Sequence, residues 1–384
     1  MSEVNALKRT PLFEWHKNNG GKLVGFAGWE LPVQYAGVIP EHKAVRERAG
    51  IFDVSHMGEI FVTGPEAEAA LQYMTCNDVK ALYDGKAQYS AILNEKGGVV
   101  DDIIIYRFSQ TRYLLCVNAS NAEADFDWLS KKNTFEAEFV NQSAEFGQIA
   151  LQGPRAEKIL AKICSDEKII KLQYFHFGEA KLKAAAGEVR AIVARTGYTG
   201  EDGFELFVPW DATVSVWEAL LEAGQPEGIC ACGLGARDSL RLEACYPLHG
   251  HELSTEFSAL ESGLGWAVKL DKGEFLGGKA LNEEKSKGSS RALIGFFLDQ
   301  AGIVRQGDRV LDLDGKELGV VTSGTKTPTV NRALGLALVD RGASRLDKEV
   351  LLEVRGKSLK GHVVKRPFYS AIKEGGNKGS LSKS

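Results

Sequence analysis

The residues best placed to do chemistry are charged ones set among apolar neighbours. Asp101 and Asp102 stand side by side in the apolar, β-branched run Val99-Val100-Asp101-Asp102-Ile103-Ile104-Ile105-Tyr106, which follows the turn Asn94-Glu95-Lys96-Gly97-Gly98. Carboxylates at the head of a buried strand are costly unless water, a hydrogen-bond donor or a ligand meets them. Side chains alternate along a strand, so Val100, Asp102, Ile104 and Tyr106 share one face while Asp101, Ile103 and Ile105 share the other. Only one aspartate can face a given pocket. The plainer alternative is that both end a hairpin and are solvated at its mouth.

Two other segments carry charge in telling places. In Arg195-Thr196-Gly197-Tyr198-Thr199-Gly200-Glu201-Asp202-Gly203-Phe204-Glu205-Leu206, glycines make a tight loop before a strand. If Phe204 and Leu206 pack inward, Glu205 lies on the opposite face, either solvated or lining a site. In Gly233-Leu234-Gly235-Ala236-Arg237-Asp238-Ser239-Leu240-Arg241-Leu242-Glu243-Ala244, Arg237, Arg241 and Ala244 share a helix face. Arginines near a helix start oppose its dipole unless an anion is close; an internal pair with Asp238 or Glu243 would serve as well.

The elements that must position these groups read as an antiparallel α+β arrangement. Thr10-Pro11 can cap and begin a helix, and residues 39–49 form a second one that Gly50 would stop. Residues 50–62 read as a strand kinked at His56 to Gly58. Gly64-Pro65 breaks it before a helix over 66–74, and strands over 85–93 and 113–118 flank the aspartate strand. A helix over 122–132 and a strand pair up to residue 150 follow. Leu151-Gln152-Gly153-Pro154 repeats the pattern of Val62-Thr63-Gly64-Pro65, which points to an internally duplicated unit or to chance recurrence of a common turn. The Lys-, Glu- and Gly-rich stretch 271–290 reads as a connector, residues 291–372 as a small β domain of short strands with a hairpin at Asp314-Gly315, and residues 373–384 as a disordered tail.

Composition excludes several classes. The 384 residues are 44% hydrophobic and 26% charged with a formal net charge of -4, ordinary for a globular protein and unlike a nucleic-acid binder. No apolar run is long enough to suggest a membrane span, and the first residues lack the apolar core of a secretory signal. Six scattered cysteines then read as reduced thiols of a cytoplasmic protein. GxGxxG after a strand, GxxxxGK[ST], GxSxG and HExxH are all missing, and His249-Gly250-His251-Glu252 does not put two imidazoles on one helix face. No metal site is expected.

The blocks FAGWELPVQY, AVRERAGIFDVSHMGEI, NEKGGVVDDIIIYR, RTGYTGEDGFEL and GLGARDSLRLEA, in this order, resemble the glycine cleavage T proteins, the aminomethyltransferases. The resemblance spans nearly the whole chain, down to KRPFYS at residues 365–370. It implies a three-lobed fold: two related antiparallel α/β units, one over roughly 55–140, within residues 1–270, and a C-terminal barrel-like domain, all around a central folate pocket. It also implies transfer of a methylene carbon from the S-aminomethyl-dihydrolipoyl arm of a partner, the lipoylated H protein, to tetrahydrofolate, with release of ammonia. A fixed carboxylate can stabilise the positive charge that grows during such a transfer and accept a proton, assistance typically worth about 10²–10⁴ in rate. The family's catalytic aspartate aligns with Asp102, leaving Asp101 to support the turn. Its folate-pocket residues align with Met57, Tyr89, Asn118, Tyr198, Glu205, Arg237 and Tyr369, with Arg366 as the alternative to Tyr369. A relative that holds folate but has lost transfer need not keep all these blocks, so their joint retention favours the enzyme.

Overall fold

The computed structural model describes residues 6–185 and 187–371; the tail expected to be disordered, 373–384, lies outside them. Helix α1 (Phe13–Asn18), the hairpin β1 (Lys22–Phe26) and β2 (Trp29–Gln34), helix α2 (Val38–Glu47) and strand β3 (Ala49–Asp53) lead into β4 (Gly58–Thr63). Then come α3 (Ala67–Met74), the strands β5 (Lys86–Leu93), β6 (Val99–Ser109) and β7 (Arg112–Val117), α4 (Ala122–Lys132) and β8 (Glu138–Asn141). The plan repeats as β9 (Phe146–Gln152), α5 (Ala156–Ile163), the short α6 (Glu167–Ile170), β10 (Phe177–Ala184), β11 (Gly187–Ala194) and β12 (Gly203–Pro209). After α7 (Thr213–Gly224), β13 (Ile229–Ala231), α8 (Leu234–Glu243) and α9 (Gly278–Lys287), six strands remain. These are β14 (Arg291–Leu298), β15 (Arg309–Leu311), β16 (Glu317–Lys326), β17 (Ala333–Asp340), β18 (Glu349–Val354) and β19 (Lys357–Val364).

The N-terminal region is a four-layer stack. A five-stranded sheet, β5-β6-β7-β4-β8, and a six-stranded sheet, β10-β11-β12-β9-β3-β13, pack face to face through Phe61, Tyr106 and Leu114 of one and Phe177, Ile192 and Phe207 of the other. Helices α3 and α4 cover the far side of the first sheet with Leu71, Met74 and Leu129; α5 and α7 cover the far side of the second with Ile159, Leu160 and Trp217. The C-terminal strands close into the barrel β14-β17-β16-β15-β18-β19, as expected. Among the described residues no helix is long and apolar enough to cross a membrane.

Several local expectations need correction. Residues 50–62 are two strands in different sheets, because Asp53 turns the chain: its Oδ1 accepts from Ser55 N at 2.9 Å, and Met57 N donates to Val54 O at 3.0 Å. The supposed strand pair before residue 150 likewise splits between the sheets as β8 and β9. The Thr10 side chain does not cap α1; its hydroxyl donates to Asp53 Oδ2 at 2.7 Å, and Leu12 is the N-cap residue of the helix. Gly50 does not stop α2 but lies in β3, where a Cβ would come within 2.4 Å of Val45 and 2.8 Å of Cys232. The stretch 271–290 contains α9, whose Leu281 is fully buried beside Gly97.

The barrel is fastened to the stack through α8. Arg241, fully buried, donates to Asp238 at 2.9 Å, to Glu252 at 3.0 Å and to Ser323 of β16 at 2.9 Å. Glu243, two residues on, accepts from Thr329 N at 3.0 Å and from Arg46 at 3.1 Å.

Candidate active site

Where the two sheets part at one edge of their shared face, they leave a cavity of 620 Å³. Met57, Tyr89, Asp102, Asn118, Tyr198, Glu205 and Arg237 all line it, drawn from β5, β6, β12, α8 and three loops.

The alternation expected of β6 holds. Asp101 is fully buried away from the cavity and Asp102 faces it. Asp101 braces the loop after β7 and not the turn before β6: it accepts from Asn118 N at 2.9 Å, Asn118 Nδ2 at 2.8 Å and Asn121 Nδ2 at 2.7 Å. Asp102 accepts from Asn118 Nδ2 at 2.9 Å and Tyr89 OH at 3.1 Å. Burial and then the neighbouring charge of Asp101 raise the Asp102 carboxyl to about 7. A carboxylate so placed is a far better proton acceptor at neutral pH than an ordinary aspartate. Behind the pair, Asp125 of α4 is buried, and burial followed by the charge of Asp101 pushes it up to about 10, so it stays a neutral acid.

Glu205 projects from β12 into the cavity while Phe204 and Leu206 are fully buried behind it, the split expected from the strand pattern. It accepts from Thr196 Oγ1 at 2.6 Å and Gln148 Nε2 at 3.3 Å, and burial raises its carboxyl above the usual range. Arg237 lies with its guanidinium carbon 4.6 Å from the centre of the Tyr198 ring and makes no ion pair among the described residues. The internal pair allowed for at Asp238 is made by Arg241 instead. The cavity thus presents acceptors at Asp102 and Glu205, the cations Arg237 and Lys86, and apolar walls such as Phe52, Val54 and Met57. A flat heteroaromatic ring with an N–H edge fits that set: its faces can pack on the walls and its edge can donate in bidentate fashion to Glu205.

Comparison with known proteins decides the lineage. The model of the GCVT N-terminal domain matches residues 12–272, and that of the glycine cleavage T-protein C-terminal barrel domain matches residues 291–370. The chain belongs to the glycine cleavage T-protein family. It is 47% identical over 368 residues to the aminomethyltransferase of Geobacillus sp. (strain WCH70), covering 96% of this chain and 100% of that one. Against the aminomethyltransferase of Chloroherpeton thalassium it is 48% identical over 367 residues, 94% and 99% of the two chains. The crystal structure of glycine cleavage system aminomethyltransferase T from Bartonella henselae superposes with a TM-score of 0.87 at 36% identity, covering 94% of this chain and 98% of that one.

Within this T-protein fold one expected pocket residue falls elsewhere. Tyr369 is not part of the cavity wall: its hydroxyl donates to Glu201 at 2.5 Å, its ring lies 3.9 Å from the Arg46 guanidinium carbon, and its backbone N–H donates to Glu243. The alternative, Arg366, packs on Gly263 and Gly295. Neither Arg366 nor Tyr369 lines the cavity. Conversely, Trp266 and Tyr174 line the cavity unannounced. Trp266 stacks on Tyr89 with ring centres 5.2 Å apart and is 63% exposed, and an exposed tryptophan between Gly265 and Ala267 was the one sequence signal that could have marked it.

Proposed function

We infer that this protein is the folate-dependent aminomethyltransferase of the glycine cleavage system, taking the methylene carbon from S-aminomethyl-dihydrolipoyl H protein to tetrahydrofolate and giving 5,10-methylenetetrahydrofolate, ammonia and dihydrolipoyl H protein. The observation that carries the reading is the convergence of Asp102, Glu205 and Arg237, far apart in sequence, on one cavity.

Tetrahydrofolate, when bound, supplies the nucleophilic nitrogen. Glu205, oriented by Thr196 and Gln148, accepts from the N–H edge of the pterin and fixes its rotation. Tyr198 stacks against Arg237, holding the cation at the cavity wall to meet an electronegative atom of the ligand. Asp102 is held by Asn118 and Tyr89 to face the reacting atoms, where it offsets developing positive charge and takes the proton that is shed. Its raised basicity is the product of burial and of Asp101, so Asp101 acts through Asp102. We assign residues 1–270 to folate binding and transfer, and 291–372 to a barrel that seats α8 against the cavity. All six cysteines are unpaired, which suits a reducing compartment, and we assign the protein to the cytoplasm.

Ammonia release from aminomethylated H protein, with and without tetrahydrofolate, tests the function. Folate-dependent release is expected. Folate binding without release would instead make this a folate-holding relative that has lost transfer.

A further inference from the structure

A second, smaller recess of 160 Å³ adjoins the main cavity and shares Met57, Asn118 and Arg237 with it. Three histidines, His56, His249 and His251, line it together with Ser120 and small or apolar residues. None of the described residues lining it carries a carboxylate, in contrast to the main cavity with Asp102 and Glu205.

The hydrogen bonds fix which ring nitrogens carry protons. Asn121 Nδ2 donates to the Asp101 carboxylate at 2.7 Å, and Asn121 Oδ1 accepts from Ser120 Oγ at 3.1 Å, so the amide orientation is settled. The same Nδ2 stands 3.0 Å from His249 Nδ1, which must therefore accept. In the neutral ring the proton then sits on Nε2, and that N–H is buried without a partner. An orphaned buried donor is destabilising and calls for an acceptor. His251 is the reverse case: its Nδ1 faces the Thr322 carbonyl at 3.0 Å and carries the proton there. His56 is buried, and burial followed by the charge of Arg237 pushes it down to about 3, so it adds no charge to the recess while the arginine's field reaches into it.

We propose that this recess receives the sulfur of the departing thiol carrier, with His249 Nε2–H as the hydrogen-bond donor to that sulfur. The proposal deepens the aminomethyl-transfer reading and rests on it. When the carbon is transferred, the C–S bond breaks with its electron pair left on sulfur, the carbon bonds to the acceptor nitrogen, and the proton that nitrogen sheds passes to Asp102. The sulfur departs as a thiolate and is protonated afterwards from solvent. A free thiol ionises near 8.5, so leaving as a thiolate at neutral pH is uphill unless donors and positive charge meet it. The recess offers one donor and the edge of Arg237, with Met57 as a soft apolar wall. An ammonium ion is met best by carboxylates, which the main cavity holds at Asp102 and Glu205 and the described residues of the recess wall do not. Asn121 bonds both His249 and Asp101, so the leaving-group donor is tied through one amide to the aspartate whose charge raises the basicity of Asp102.

Two substitutions separate the two ring nitrogens. His249→Asn keeps an acceptor where Nδ1 stands and removes the far N–H; His249→Gln sets an amide N–H near Nε2 and gives up the near acceptor. The first is expected to lower kcat for ammonia release about 10- to 100-fold with the KM for tetrahydrofolate unchanged, less than for an oxyanion donor because sulfur spreads its charge. The second should keep most of the rate. Equal losses, a larger loss in His249→Gln, or no loss in either would overturn the assignment. Free dihydrolipoamide provides a test on the unaltered protein: by titration calorimetry it should bind more tightly as pH rises from about 7 to about 9, with proton release, since the thiolate is the form that fits. Binding that does not change with pH overturns the proposal. Absence of folate-dependent ammonia from the unaltered protein would overturn the function itself, whereas normal turnover with indifferent His249 variants would overturn the recess alone.

Discussion

In the first sheet β4 runs into Gly64-Pro65, helix α3 and the strands β5, β6 and β7; in the second, β9 runs into Gly153-Pro154, helix α5 and β10, β11 and β12. The sheet orders correspond, β5-β6-β7-β4 against β10-β11-β12-β9. Even the turns agree: Gly64 and Gly153 have φ of 128° and 123°, and a Cβ on either would sit 2.5 or 2.6 Å from a backbone carbonyl oxygen. The registers can be matched, since Ile104 pairs with Cys116 in one and Ile192 with Phe207 in the other. Two residues before each anchor, Asp102 of the first sheet corresponds to Arg190 of the second, and Glu205 of the second corresponds to Leu114 of the first. Arg190 is exposed and lines a separate groove with Arg112 and Lys183, and Leu114 is buried in the seam between the sheets. The repeat therefore supplies geometry twice and chemistry once per position. Which residue reaches the cavity depends on where its strand meets it, not on its place in the repeat.

That asymmetry can be broken experimentally. The largest effect is expected at Asp102: Asp102→Asn should cut kcat by about 10²–10⁴ while the counterpart substitution Arg190→Gln leaves ammonia release within about twofold. Next comes the Leu114 and Glu205 pair. Leu114→Ala should destabilise the fold by about 2–5 kcal/mol in a denaturant titration with folate affinity intact, whereas Glu205→Gln should leave the midpoint in place and weaken tetrahydrofolate binding roughly tenfold by calorimetry, the loss of one charge-assisted hydrogen bond.

The pH dependence is a smaller effect that sharpens the same contrast. Asp102 keeps its proton up to about 7 in the folded protein, so between the ordinary aspartate value and 7 the folded state binds more protons than the unfolded one. Stability then falls as pH rises through that window. Asp102→Asn removes the cost, and its melting temperature should exceed that of the unaltered protein at pH 8 and match it near pH 4; Arg190→Gln should show no such crossover. In activity, kcat should rise with pH through about 7 as the carboxylate forms. Smallest of all, Trp266→Ala should raise the KM for tetrahydrofolate by about threefold with kcat unchanged, since an exposed stack contributes of order 0.5–1.5 kcal/mol.

Much of this could be read from the chain before the structure, and the exceptions have physical causes. Strand alternation separated Asp101 from Asp102 and put Glu205 opposite Phe204 and Leu206, because a period of two is a local property. Helix α4 over Ala122–Lys132 and the barrel strands were equally local. What local pattern does not encode is which sheet a strand joins. Residues 50–62 read as one kinked strand because both halves are apolar, and the turn over Asp53–Met57 that sends β3 and β4 to different sheets is closed by hydrogen bonds the pattern does not encode. Trp266 and Tyr174 reach the cavity from loops, where position follows from tertiary packing. Tyr369 was assigned through resemblance, and its aromatic ring is used instead to cover Arg46.

Helix α8 couples the barrel to the cavity wall. One turn separates Arg237, which faces the cavity, from Arg241, which grips Ser323 of the barrel. A rigid helix transmits any screw or tilt along its length, so the barrel works as a distant handle: a perturbation far from the cavity, on the β16 side, reaches Arg237 as a change of aim.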